Sequence, residues 1–593
     1  MRIKKLIIGV ISIFLIGKCY GIEKMKKGVK MDIPIMHICE PEDLEWEKTL
    51  PKPEIPTPPK NVGIINWNVL KETAPLEFKG EKEVEAESLK PNGLVKGKGT
   101  TEQPYVIKDL YIKVSDKPGL SISNINKPLI IENVCIDGIP IDENTPAKEW
   151  GIVLNNCSGV IIKNCQVSRC RGIYSGWLPT QKNIIFEKNY LFSTYKGIMT
   201  QGGSHFIARG NYVRDSSEYG IFLWTGTDHI IENNYVAWTG REGVGTNGVA
   251  HRHLYQNNVI LYSGWTAINV EGENDDTVVR NNLVVDTHYG IILMGNRTLC
   301  ENNKVFYSSQ FGIYIHANDE ITVKNNFVIG SSQSGIFIPQ SANKTKIISN
   351  KIWQSYIGID VQGKDTLVEK NEIYRFFKGI SVSASNCVIR RNSVYRGRNG
   401  IWFEGIPETE QGGIVSENYL HHLLAGVVVK KVKSAIFTDN KLESVGQPFP
   451  IDNCEELVIK NNKIIQLRYN GIVLYQSSKC NVEENELITG MVEAITLNEG
   501  GSHTIKNNII KNIRGEFSGG GIRLISTKNN TIIDNYLENC AVGVVFDGKN
   551  NQNNLLENNK YIKNGINIGL QNGAEEKFDE TNKLDTKAIS RKQ

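Results

Sequence analysis

TVVRNNLVVDTHYGIILM, residues 277–294, is one turn of the repeat that decides the fold. Three short runs follow one another in it: TVVR, LVVD and GIILM. Each is rich in β-branched residues and bounded by Asn or Gly, the composition of short strands. The same order recurs in GIFLW at 220–224, GIYIH at 312–316 and GIWFE at 400–404, and in ITVKNN at 321–326 and LVIKNN at 457–462. One asparagine per unit indexes the repeat: Asn164, Asn189, Asn211, Asn234, Asn258, Asn282, Asn303, Asn326, Asn350, Asn371, Asn392, Asn418, Asn440, Asn462, Asn485, Asn508, Asn535 and Asn559. A fixed period of about 22 residues is the mark of a solenoid, and three strands per turn make it an all-β parallel β-helix of about 18–20 coils. The index asparagine is expected at the sharp corner, where it tolerates left-handed backbone and stacks as an amide ladder. Ile and Val, not Leu, fill the repeat, which excludes a leucine-rich horseshoe, and no 3.6-residue period supports helical repeats.

Around this repeat the chain divides into five stretches. Residues 1–21 read as a signal peptide: Arg2, Lys4 and Lys5 precede an apolar run too short to span a bilayer. Residues 22–60 carry six prolines between Pro41 and Pro59 and read as an extended segment. Residues 61–95 are mixed and charged, the material of an N-terminal cap; 96–570 are the β-helix and 571–593 a polar tail. This implies a secreted, cell-surface or periplasmic protein, meeting the membrane only through its N-terminal segment if that is uncleaved, and monomeric. With 68 basic and 64 acidic residues the net charge is +4, which argues against nucleic acid as the main partner. Eleven cysteines suggest disulfides in an exported chain. However, Cys387, Cys480 and Cys300 fall at inward strand positions, leaving only Cys135, Cys157, Cys165 and Cys170 as candidates for one or two bridges.

These units resemble the right-handed parallel β-helix repeats of the pectate-lyase-like superfamily, of the type found in carbohydrate-binding proteins and sugar hydrolases. The entry segment GKGTTEQPYVIKDLYI (97–112) is similar to the first coil of that group. It also resembles the periplasmic β-helix proteins linked to copper-enzyme maturation. The resemblance covers about 95–570 and implies the fold. It implies no one chemistry, because this scaffold hosts many. Of the polygalacturonase motifs only an acidic pair, Asp275-Asp276, is present. The places where alginate and chondroitin lyases carry Lys and Arg hold Glu271 and Met294, which disfavours a lyase.

Strand alternation sends the third and fifth residues of each Gly-Ile run outwards, making a ladder that includes Phe222/Trp224, Gly245/Asn247, Asn269/Glu271, Ile292/Met294, Tyr314/His316, Phe337/Pro339, Asp360/Gln362, Trp402/Glu404 and Val428/Lys430. Aromatics, amides and acids on one face suit a polysaccharide, whose rings stack and whose hydroxyls bond. The segment EGENDD (271–276) concentrates four acids. Glu271 and Glu273, two apart with carboxylates roughly 6–7 Å from each other, are the candidate catalytic pair of a glycoside hydrolase. The same cluster also reads as a solvated acidic turn, or with Asp275 and Asp276 as a set of hard oxygen ligands for calcium; no cofactor is otherwise required. Trp177, Trp224, Asn247, His251, Asn269, Arg297, Tyr314, His316, Asp360, Trp402 and Glu404 are the candidate substrate contacts. His205, His229 and His253 fall near one place on successive coils. That place holds Thr277, Ile321 and Leu457 elsewhere, so it reads as a buried stack rather than a metal site. Three functions remain open: a polysaccharide hydrolase, a non-catalytic surface carbohydrate-binding or adhesion protein, and a periplasmic maturation factor for a metalloenzyme.

Overall fold

A computed structural model describes residues 52–574, apart from 61, 63, 64, 140–147, 177–180, 406–411 and 516–519, and apart from the Trp67 side chain. The expected signal peptide, most of the Pro-rich segment, Trp177 and the C-terminal tail lie outside the described residues. The chain is a parallel β-solenoid of about 19 turns, in two compact units, residues 1–314 and 315–593.

Most turns have three strands, two of which merge into one long strand in Lys351–Val361, Glu372–Val382, Ser393–Glu404 and Tyr419–Lys430, and each strand pairs in parallel with its counterpart one turn on. In the first unit, the strands before the index asparagine run through Ile185–Glu187, Ile207–Arg209, Ile230–Glu232, Leu254–Gln256, Val278–Arg280 and Leu299–Glu301. Their central residues, Phe186, Ala208, Ile231, Tyr255, Val279 and Cys300, point inward and are buried. Burying an aliphatic or aromatic side chain contributes about 1.5–3 kcal/mol, and the repeat does so at each inward place of every turn. The second unit repeats the plan through Thr322–Lys324, Lys346–Ile348, Leu367–Glu369 and onwards to Leu555–Glu557.

The corner splits the two jobs expected of one asparagine. In the first unit Asn189, Asn211, Asn234, Asn258, Asn282 and Asn303 form a ladder with amide-to-amide bonds of 2.9–3.0 Å. Each Oδ1 also accepts the backbone N–H of the asparagine before it, as Asn258 does from Asn234 at 3.1 Å. Each Nδ2 reaches a strand carbonyl, as Asn258 does to Ile231 at 2.8 Å. The second unit has the same ladder from Asn326 to Asn559. The left-handed residue, however, is the one before: Lys188, Asn233, Asn257, Asn281 and Asn302 have φ of 53–56°. Asn164 is one of these, with φ 51°, so it is not a rung; Cys165 holds the rung position and donates its N–H to Asn189. The ladder selects asparagine because only an amide there donates and accepts along the stack at once.

The first turn is primed from upstream. Lys71–Thr73 and Leu76–Phe78 pair in parallel with Leu110–Ile112 and Leu120–Ile122. Val95–Lys96 adds an antiparallel pair to Val106 and Ile107. A short helix, Glu81–Ser88, packs beside these strands, burying only Val84. Part of the expected cap region is therefore already sheet.

All nine described cysteines are free and buried, so Cys135, Cys157, Cys165 and Cys170 form no disulfide. Burial lifts their thiols: Cys454 and Cys540 are pushed up to about 11, and Cys165 and Cys170 to about 12. The histidine stack has two members, not three. His229 and His253 lie buried with ring centroids 4.6 Å apart, but Phe206 fills the preceding place and stacks on His229 at 5.0 Å. His205 instead takes left-handed backbone at the turn and stays exposed near Asp228.

Candidate functional site

The Gly-Ile strands lie side by side, as expected. In the first unit Ile173, Ile198, Ile221, Val244, Ile268 and Ile291 are register partners on successive turns. The outward residues between them, Met199, Phe222, Gly245, Asn269 and Ile292, are in register too. They face out but are not exposed: Met199, Phe222 and Ile292 are 3% exposed and Asn269 2%. Outward direction and accessibility part company because the neighbouring rings lie across the strands. Tyr219 sits 4.6 Å from Phe222, and Phe222 lies edge-on to Trp224 at 6.0 Å. Gly245 makes room for this packing, since a Cβ there would stand 2.9 Å from Asn269 Cβ and 3.1 Å from the Phe222 ring.

The row is thus a recessed floor, and the residues just before each Gly-Ile run form its rim. In the first unit that rim alternates rings and cations. Arg171 lies over Trp150 and Tyr195, Lys196 over Tyr195 and Tyr219, and Arg241 over Tyr219, with cation-to-centroid distances of 5.1–5.8 Å. Trp265 continues the rim, 45% exposed, with His288 and Tyr289 against it. Sequence reasoning missed these residues because it searched only the third and fifth places of each run. The aromatic or charged residue one or two places before the glycine was the available signal.

Within this floor the acids are distributed differently from the expectation. Glu242, just before Gly243, is 4% exposed. One carboxylate oxygen lies 3.5 Å from Arg241, and the other, Oε2, is buried without a hydrogen-bond partner. Burial first, and the nearby carboxylates of Glu271 and Glu218 in addition, push the Glu242 carboxyl above the usual range, against the opposing pull of Arg241. Glu271, half-buried at the strand end, accepts a bond from Asn269 Nδ2 at 3.2 Å, and Asn269 Oδ1 is a second buried acceptor with no partner. The carboxyl that feels Glu271 is therefore Glu242. Glu273 is exposed on the turn, where its carbonyl accepts the Ala250 N–H.

The rest of the acidic turn has structural work. Asn274 turns inward at 0% exposure and accepts the Thr246 hydroxyl at 3.0 Å, which in turn accepts the Tyr255 hydroxyl at 2.8 Å. Asp275 accepts the Asn296 N–H at 2.8 Å. Asp276 holds Arg297 at 2.7 and 2.9 Å, and that bond keeps its carboxyl below the usual range. His251 sits beside this turn, on a two-residue strand paired with Gly226–Thr227, not in the floor. Trp224 and Asn247 edge the floor half-buried. Tyr314 closes the first unit against Tyr289 and Phe311, at 5.9 and 5.3 Å. His316 begins the second unit, exposed, its carbonyl accepting the Ser341 hydroxyl.

The second unit carries its own group on the equivalent strands. Asp360, Ser381, Trp402 and Val428 are register partners, as are Glu404 and Lys430. The Trp402 indole N–H donates to Glu404 at 2.9 Å. Lys378 and Lys430 lie over the Trp402 ring at 4.2 and 5.2 Å from its centroid. Trp402 is therefore a seat for ammonium groups rather than the bare stacking platform the sequence suggested. Burial pushes the Asp360 carboxyl up to about 6, with Lys378 acting the other way. Strand Ser334–Ile338 stops before Pro339, as its ring requires.

Floor, rim and ladder define a parallel β-helix protein with a recessed face edged by rings and charges. The profile of the right handed beta helix region matches residues 196–352 and 300–405, which fixes the hand. A second profile, described as periplasmic copper-binding protein (NosD), matches residues 99–263 and 364–536, more than half of the chain; the protein belongs to the NosD family. No curated protein matches the chain. Among solved structures it is similar to a PL6 alginate lyase in complex with a trisaccharide, at 11% identity over 55% of this chain and 86% of that one, with a TM-score of 0.33. It is also similar to the DFA-IIIase of Arthrobacter chlorophenolicus A6, at 13% identity and a TM-score of 0.32 over 40% of this chain. There it spans 65% of the other chain, less than two thirds of its length. The periplasmic alginate epimerase AlgG matches at 13% identity over 71% of this chain and 97% of its own, with a TM-score of 0.28.

Proposed function

We propose that this protein is an exported carbohydrate-binding β-helix that holds a polysaccharide over the recessed face of its first unit and hydrolyses it there. The observation that carries the reading is the pair of buried, unpartnered acceptors, Glu242 Oε2 and Asn269 Oδ1, beside Glu271. Leaving a buried polar atom unpaired costs about 1–3 kcal/mol, and a donor-rich ligand such as a sugar hydroxyl relieves that cost. Trp265 on the rim, 45% exposed, offers a ring face for the apolar side of a sugar. The same two acids suit hydrolysis. Glu242, whose carboxyl burial pushes above its usual range, is the proposed donor of a proton to the glycosidic oxygen. Glu271, half-buried at the strand end, receives the charge or activates water. Glu242 thus takes the place that the sequence assigned to Glu273.

The family description favours a second reading, copper binding, and the described residues do not fit it. Among them no three His, Cys, Asp or Glu side chains converge to hold a metal ion. The thiols are buried and protonated, and the ring nitrogens of His229 and His253 face the carbonyls of Thr225 and Gly226 at 3.1 and 3.2 Å. Calcium at Asp275 and Asp276 would have to displace Arg297, so the reading needs no cofactor. Family membership supports export to the periplasm. Among the described residues no helix is long and apolar enough to cross a membrane.

The test is reducing-sugar release from a panel of polysaccharides, with binding measured alongside. Glu242→Gln and Glu271→Gln should each abolish turnover while leaving the fold intact, and Glu273→Gln should be neutral. Turnover indifferent to Glu242 and Glu271 removes the catalytic roles. Binding without turnover in the wild type leaves a carbohydrate-binding protein without catalysis.

A further inference from the structure

The second unit has a face of different chemistry. On three successive turns Tyr356, Phe377 and Arg398 occupy the rim, each directly before the register partners Ile357, Lys378 and Asn399. Tyr356 is 51% exposed and stacks on Phe377 at 4.9 Å with the planes only 6° apart. The exposed Arg398 guanidinium lies over the other end of this stack, 5.0 Å from the Phe377 centroid. Lys378 follows Phe377 and leans inward over Trp402, where Lys430 joins it from further along the same face. Trp402 is itself anchored by its N–H to Glu404. Three cations thus gather around two adjoining aromatic seats.

This arrangement is costly unless something fills it. Lys378 is half-buried, and burial pulls its ammonium below the ordinary range. The carboxylates of Glu404 and Asp360 oppose that pull, and Lys430 adds to it. Glu404 is committed to the indole, and Asp360 sits deeper, bonded to Gln362. The cations outnumber the acids at the surface, next to the exposed ring of Tyr356. A neutral sugar would use the rings but not the charges, and a small inorganic anion would use the charges but not the rings.

We infer that the face of the second unit is a binding subsite for an acidic sugar chain, one ring stacked on the free face of Tyr356 and the anionic groups of the chain held by Arg398, Lys378 and Lys430. The inference takes from the reading above only that the ligand is a sugar chain; its residues are separate. The anionic group is a carboxylate or a sulfate ester, both of which accept the forked bonds of a guanidinium. Aromatic stacking fixes the sugar plane and the cations choose the charged residue, so neither alone gives the selectivity.

The test uses the full chain and three polymers by affinity electrophoresis or calorimetry: a polyuronate, a sulfated polysaccharide and a neutral glucan. The polyuronate or the sulfated polymer should bind at least about tenfold more tightly than the glucan, and that preference should collapse on raising the salt several-fold. Which of the two binds names the anionic group. Lys378→Gln with Lys430→Gln should remove the preference, and Tyr356→Ala should weaken binding of the acidic polymer while keeping its advantage over the glucan. Should the double variant fail to fold, the exposed Arg398→Gln carries the test, with an expected loss of at least about fivefold. Equal binding of all three polymers, or a preference untouched by Arg398→Gln and the lysine changes, overturns the inference. Glu273→Gln, a change on the exposed turn of the first unit, should leave the preference for the acidic polymer unchanged, and its loss there would overturn the inference. Silence of Glu242→Gln and Glu271→Gln in turnover alone would count only against the hydrolytic reading.

Discussion

The asparagine corner and the Gly-Ile floor are built from the same repeat, yet they treat their polar atoms in opposite ways. At the corner each amide of Asn211, Asn234, Asn258 and Asn282 bonds both to its neighbours in the stack and to a strand carbonyl. At the floor Asn269, equally buried, bonds Glu271 through Nδ2 and leaves Oδ1 without a partner, and Glu242 does the same with Oε2. A buried asparagine in a closed ladder stabilises the fold. A buried asparagine whose acceptor has no partner costs stability, a cost that a donor relieves. The proposed function rests on this difference.

The comparison can be broken most forcefully at the corner. Asn258→Ala removes the acceptor for the Asn234 backbone and side chain and leaves the Ile231 carbonyl without its amide donor. Unfolding in urea should show a loss of about 3 kcal/mol or more. A loss under about 1 kcal/mol would mean that the ladder is ornamental.

The inward column that holds the histidines sharpens the same point through pH. Burial holds His503 down to about 4, while its Nδ1 accepts the Cys480 N–H at 3.2 Å. The unfolded chain takes up a proton near the ordinary value of 6.5, before the folded one does. The stability His503 contributes is therefore complete above about 6.5 and is lost as pH falls towards 4, by about 3 kcal/mol. Asn530, the next residue in that column, accepts the His503 N–H through Oδ1. His503→Asn should keep the bond to Cys480 and flatten this part of the acid loss in denaturation curves at pH 4.5 and 7.5. His229, also held at about 4, remains as a second acid-labile site.

At the floor of the second unit the sign reverses. The Asp360 carboxyl sits at about 6, above its unfolded value, so its burden on the fold grows as pH rises from about 4 to 6 and is constant above. Asp360→Asn should raise stability at pH 8 by about 1–2 kcal/mol and leave it unchanged at pH 3.5. A destabilising change at pH 8 would mean that Lys378 relies on Asp360 more than burial opposes it.

The fold was legible because its signals repeat. Index asparagines, Gly-Ile runs and β-branched triplets gave the strands, their register and the outward ladder, and the structure keeps that register from Met199 to Ile292 and from Phe337 to Val428. What escaped was anything set by neighbours across turns. No local pattern says that Phe222 will be covered by Tyr219, that Trp402 will seat two lysines, or that Asp276 will be bound by Arg297 from the next turn. Asn164 was misplaced by one residue because the left-handed position and the ladder position are adjacent and often both asparagine. Glu271 was singled out because it stands out in composition. Glu242 was missed because a single acid before a glycine looks ordinary until burial is known.

The most direct test of the contrast between corner and floor is Asn269→Ala, measured for polysaccharide binding and thermal unfolding in the same preparation. The account predicts that binding to the first-unit face falls at least about tenfold while the melting temperature holds or rises slightly, since an unpaired buried acceptor is removed. Intact binding together with a fall in melting temperature like that of Asn258→Ala would contradict it, and Asn269 would then be one more piece of the scaffold.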